Sequence, residues 1–60
     1  MTEFKVGDRV RVKDECVEKY FFMDKGSTFI IKSMYSRNCY VKEEGTDISW
    51  TLYYNDIEMA

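Results

Sequence analysis

The 60-residue chain has no histidine, no proline, two cysteines and three glycines. Each shortage excludes something. Without histidine, the side chain most used for proton transfer near neutral pH is missing. Cys16 and Cys39 stand far apart in the chain with no histidine between them, which matches no zinc-ligand spacing. Cys16 follows Glu15 and lies near Asp14, and negative neighbours raise a thiol pKa rather than activate it. Gly7, Gly26 and Gly45 are isolated turn glycines and form no phosphate-cradling cluster. The acidic run Glu43-Glu44-x-x-Asp47 lacks the ordered ligand series of a calcium loop and reads as a solvated hairpin tip. No catalytic residue, metal ligand or cofactor site is therefore expected.

Long apolar runs are also missing. The longest block, Tyr20-Phe21-Phe22-Met23, falls far short of the ~18 residues a membrane helix needs. Met1-Thr2-Glu3-Phe4-Lys5 lacks the basic and apolar regions of a signal peptide. The expectation is a cytoplasmic chain, without membrane contact, whose cysteines stay reduced. A one-sided charge is lacking too: nine basic and eleven acidic side chains give −2, with the signs interleaved. That balance weakens the case for nucleic acid, whose affinity comes largely from neutralised phosphates.

Aromatics and β-formers fill the space. Ten aromatic side chains can seal a very small core, each hiding ~150–250 Å². Residues 6–13, Val-Gly-Asp-Arg-Val-Arg-Val-Lys, set the pattern. After a Gly-Asp turn, Val10 and Val12 point to one face while Arg9, Arg11 and Lys13 point to the other, the period of a half-buried strand. Asp14 to Gly26 reads as a long first loop with at most a short helical turn capped by Asp14; a continuous ten-residue helix is the alternative. Residues 27–35 form the clearest strand, with Phe29 and Ile31 inward and Ile30 outward beneath the loop. Ser36-Arg37-Asn38 is a hairpin-length turn, and Cys39 to Lys42 a third strand with Cys39 and Val41 inward. Glu43 to Asp47 makes a second hairpin loop with Gly45 at positive φ. Ile48 to Leu52 follows as a fourth strand with Ile48, Trp50 and Leu52 on one face. Tyr53 to Asp56 suits a 3₁₀ turn before a short closing strand, Ile57 to Met59. Phe4, Phe29, Trp50 and one of Phe21 and Phe22 are the expected aromatic core. Residues 1–60 thus form a single all-β domain, and closing five short strands into a barrel would remove its exposed edges.

This order of elements resembles the small SH3-like barrel. Lys5-Val6-Gly7-Asp8-Arg9-Val10-Arg11-Val12, Gly26 to Ile31, and Trp50-Thr51-Leu52 followed by Asn55-Asp56-Ile57-Glu58 carry the resemblance. It is nearest to short, mostly uncharacterised proteins of bacteriophages and prophages. KOW-type barrels, which bind RNA or protein, share the Gly-Asp-x-Val turn, but this chain lacks their basic excess and their glycine placement. Signalling SH3 domains carry an Ala-Leu-Tyr-Asp-Tyr segment and a Trp pair; neither is present, so recognition of Pro-rich peptides is not implied. The resemblance implies a five-stranded barrel and a host protein as a natural partner for a phage-encoded accessory module in the host cytoplasm. Barrels of this kind serve many unrelated tasks.

Two surfaces are candidates. Tyr20, Tyr35, Tyr40, Tyr53 and Tyr54 are more hydroxyl-bearing rings than so small a barrel buries, and tyrosine is favoured at binding surfaces. In an SH3-like arrangement the first loop lies beside the 3₁₀ turn, so Tyr20, Tyr53, Tyr54 and Asn55, with Glu43 and Glu44, form a protein-binding rim; the competing reading is that these rings brace the barrel. The second surface is the outer face of the first strand, where Arg9, Arg11 and Lys13, with stacking from Tyr40 or Tyr35, make a nucleic-acid stripe. Its competing reading is a solvated face with opposite charges across from it. The favoured expectation is a non-enzymatic protein-binding module, and nucleic-acid binding is the alternative.

Overall fold

The computed structural model describes residues 4–20 and 26–60. Among the expected features, the core candidates Phe21 and Phe22 and the turn residues Asp24 and Lys25 lie outside those residues. The chain is all-β. Its five strands are β1 (Arg9–Val12), β2 (Thr28–Met34), β3 (Asn38–Glu43), β4 (Ser49–Tyr53) and β5 (Ile57–Met59). They form one antiparallel sheet in the order β4-β3-β2-β1-β5. The ladder does not close on itself; β4 and β5 are its two edges. β5 has three residues and pairs with β1 alone.

The opening turn obeys its residues. Asp8 N–H donates to the Lys5 carbonyl at 3.0 Å, and the Asp8 carboxylate accepts from Lys5 N–H at 2.9 Å. Gly7 sits at φ +96° between them, the left-handed region glycine enters without steric cost. Gly7 N–H then reaches the Ile31 carbonyl, and Ile31 N–H returns to the Asp8 carbonyl. The turn is thereby stitched to the middle of β2.

Alternation delivers the core. Val10 pairs with Phe29, Ile31 with Val41, Cys39 with Leu52 and Val12 with Ile57, so inward positions line up across all five strands. All of these side chains are buried. A bulge between Ile31 and Ser33 sets Lys32 and Ser33 against Tyr40 and returns Met34 to the inner face, where it packs on the core. Phe4 and Trp50 pack against this core only partly buried. Ile48 departs from the expected face: it precedes β4 and is exposed. Ile30 is half-buried and lines a hollow with Lys32 and the β3–β4 hairpin.

The first connection begins as a 3₁₀ helix over Asp14–Lys19. Lys13, not Asp14, occupies its N-cap, with no side-chain capping bond; Asp14 is already its first residue. Cys16 is the buried residue of this helix. A second 3₁₀ helix, Tyr54–Asp56, links β4 to β5 as the break in alternation suggests. Both helices meet at Asp56, whose carbonyl accepts from Lys13 N–H at 2.8 Å.

Candidate binding site

Asp56 organises this end of the molecule. It is the buried charged residue of the described chain, 3% exposed. Its carboxylate accepts from Tyr20 Oη at 2.6 Å and from Lys19 Nζ at 3.0 Å. Burial alone would push the carboxyl pKa up, but hydrogen bonds from Tyr20, Lys19 and Cys16 more than offset it and hold it below the usual range. The reciprocal effects follow. Burial and the Asp56 partner push the Tyr20 phenol above its ordinary value, and Asp56 raises Lys19. The Tyr20 ring continues the chain of contacts, meeting Trp50 edge-on at 6.2 Å between centroids. Trp50 Nε1–H in turn donates to Glu43 Oε1 at 3.3 Å.

Tyr54 is fixed in a similar way. Its hydroxyl donates to the Tyr35 carbonyl at 2.6 Å and accepts from Tyr35 N–H at 3.1 Å. Its ring stacks on Phe4 at 6.2 Å. One side chain thus joins the amino-terminal segment, the β2–β3 turn and the second 3₁₀ helix.

Beside these two anchors lies an open groove of about 520 Å³, lined by Lys19, Ser36, Arg37 and residues 53–56. Of the expected rim residues, Tyr53, Tyr54 and Asn55 line it. Tyr20 sits behind the groove, joined to it through Asp56. Tyr20 and Tyr54 have their hydroxyls committed within the chain, so they brace the fold, while Tyr53 is 54% exposed. Tyr35 and Tyr40 are also exposed.

The acidic residues do not share that groove. Glu43 and Glu44 line a separate hollow of about 490 Å³ with Ile30, Lys32, Lys42 and the hairpin loop. Glu43 is no free tip residue: it pairs with Phe29 in register and takes the Trp50 indole N–H. Glu44 accepts from Thr28 Oγ1 and from Arg9 Nε, and these bonds hold its carboxyl below the usual range.

Three of the outer cations are paired with carboxylates. Arg9 meets Glu44 at 2.6 Å, Arg11 meets Glu58 at 2.6 Å, and Lys42 meets Asp47 at 3.6 Å. Arg11 and Glu58 are register partners of β1 and β5, the arrangement that makes opposite charges attract across a ladder. Lys13 ends outside β1 and is half-buried. Both cysteines are buried and unpaired with each other, with their pKa values raised by burial; thiols so placed are poor nucleophiles.

Sequence reasoning missed Arg37 and Lys19. A turn residue and a helix-end lysine carry no pattern of their own; only the meeting of the two 3₁₀ helices brings them to one groove. Among the described residues, Arg37 is the arginine without a carboxylate partner, whereas Arg9 and Arg11 each have one. No helix among the described residues is long and apolar enough to cross a membrane. Compared with protein-family models, curated proteins and solved structures, the chain matches none.

Proposed function

We propose that this chain is a non-catalytic SH3-like binding module, of the kind bacteriophages and prophages encode as accessory proteins, and that it binds a protein, a host factor by preference, in the cytoplasm. The strand order, the long first connection and the 3₁₀ helix before β5 support the SH3-like reading. The observation that carries the binding reading is the groove at the second 3₁₀ helix, with an exposed Tyr53 ring beside Arg37 and Asn55. Exposed tyrosine next to arginine is the composition of interface anchors. The rim is therefore redrawn: Tyr53 and Asn55 contact the partner, Tyr20 and Tyr54 hold the rim in shape, and the Glu43–Glu44 hollow stands apart.

The nucleic-acid alternative loses ground because Arg9 and Arg11 already face carboxylates. A phosphate would have to displace Glu44 and Glu58 before gaining either contact.

The test is affinity capture from bacterial lysate on the immobilised full chain, paired with a low-salt titration against single-stranded and duplex oligonucleotides. Capture by the native chain, lost in Tyr53→Ala with an unchanged circular dichroism spectrum, supports the groove. Retained capture by the folded variant, or salt-sensitive oligonucleotide binding lost in Arg9→Ala, overturns it.

A further inference from the structure

The groove has a sign. Its lining carries Lys19, Arg37 and Asp56. Asp56 is 3% exposed and already receives Lys19 and Tyr20, so it presents no free negative charge to a ligand. Arg37 is exposed on the β2–β3 turn with no carboxylate within salt-bridge range among the described residues, whereas the groove's other cation, Lys19, is paired with Asp56. The turn that carries it is held from both sides: Tyr35 N–H reaches the Asn38 carbonyl at 2.8 Å, and Tyr54 grips Tyr35 through two hydrogen bonds. The Arg37 carbonyl itself accepts from Tyr54 N–H. A guanidinium fork on a backbone pinned in this way loses less freedom on binding than one on a loose loop.

Resting on the protein-binding reading above, we propose that the groove takes an acidic peptide segment: a side-chain carboxylate meets the Arg37 guanidinium, the Tyr53 ring covers the neighbouring apolar residue, and the Asn55 amide serves the peptide backbone. The chemistry is complementary at each point. Guanidinium matches carboxylate in a planar, two-bond geometry; a tyrosine face offers rigid contact area; an amide supplies both donor and acceptor. The net charge of −2 opposes an acidic ligand weakly, because charges beyond ~8–10 Å are screened in ordinary salt.

The probe is a short peptide alternating glutamate and leucine, compared with its glutamine-for-glutamate analogue. Both are titrated into the isotope-labelled full chain by NMR. The glutamate peptide should shift the Arg37, Tyr53 and Asn55 resonances and bind roughly tenfold or more tightly than the analogue, as expected for loss of a charge-assisted bond. Arg37→Gln should abolish that preference and Arg37→Lys should keep part of it, since lysine retains the charge without the fork. Equal affinity for both peptides, no shifts at millimolar peptide, or an unaltered preference in Arg37→Gln overturns the proposal. Lysate capture that is lost in Tyr53→Ala but unchanged in Arg37→Gln would sink the acidic-ligand inference alone and leave the groove reading standing.

Discussion

Replacing Tyr20 by phenylalanine removes one hydroxyl and nothing else. The ring keeps its edge-on contact with Trp50, so apolar burial is conserved. Lost is the 2.6 Å bond to Asp56 Oδ2, on a residue only 3% exposed, where water is poorly placed to substitute. A hydrogen bond to a charged group contributes about 1.5–3 kcal/mol, and Lys19 continues to serve Oδ1, so the loss should be about 2 kcal/mol. Against a total of roughly 3–9 kcal/mol for a domain this size, that is a large fraction. It corresponds to a fall in Tm of roughly 8–16 °C. Acid supplies a second signature. The Asp56 pKa is lowered in the fold, so its stabilisation is complete above the unfolded value near ~3.9 and is lost as pH falls through the native value. In Tyr20→Phe the carboxylate loses a donor and its native pKa rises, so the two proteins should differ most at neutral pH and converge in acid. Urea melts across that range, with circular dichroism, read both effects. A variant within a few tenths of a kcal/mol of the native protein at neutral pH, or a loss that does not change with pH, would refute the role given to Asp56.

Backbone strain and thiol burial give two more outcomes. Gly7→Ala should destabilise by about 1–2 kcal/mol, because φ is +96° and a Cβ there meets no neighbour within 4 Å, so the whole cost is backbone strain; a thermal melt equal to the native one would contradict it. Cys16 and Cys39 should react slowly with a thiol reagent in the native state and rapidly in denaturant, since both are buried with raised pKa values; fast native labelling of Cys39 would mean the core opens readily.

The strands were legible because alternation is a local signal. Val10 and Val12, Phe29 and Ile31, and Cys39 and Val41 each sit two apart, and a pleated strand sends such pairs to one face. The edges of that signal were less legible. Ile48 reads as a strand residue by its side chain, yet the hairpin ends one residue later, and exposure follows. Asp14 has the right chemistry for a helix cap, but capping depends on where the first turn begins, and that is set by Lys13 N–H bonding Asp56 from the far end of the chain. Barrel closure depends on β5, whose three residues say nothing in themselves about which neighbour they pair with.

The residues of the proposed binding groove show the same division more sharply. Counting tyrosines identified an excess of hydroxyl-bearing rings but not their division of labour, because a phenol is identical in sequence whether its hydroxyl braces the fold or meets a partner. Partners distant in sequence decide it: Asp56 claims Tyr20 and the Tyr35 backbone claims Tyr54, leaving Tyr53 exposed. Charge follows the same logic. Arg9, Arg11 and Arg37 look alike in composition, but the fold brings Glu44 of the β3–β4 loop to Arg9 and the β5 register partner Glu58 to Arg11, and brings no described carboxylate within salt-bridge range of Arg37. Register compensates Arg11 and a neighbouring hairpin loop compensates Arg9, whereas Arg37, on a turn pinned by its backbone, keeps its charge available. That asymmetry favours the turn and the second 3₁₀ helix over the more basic first strand as the proposed binding surface.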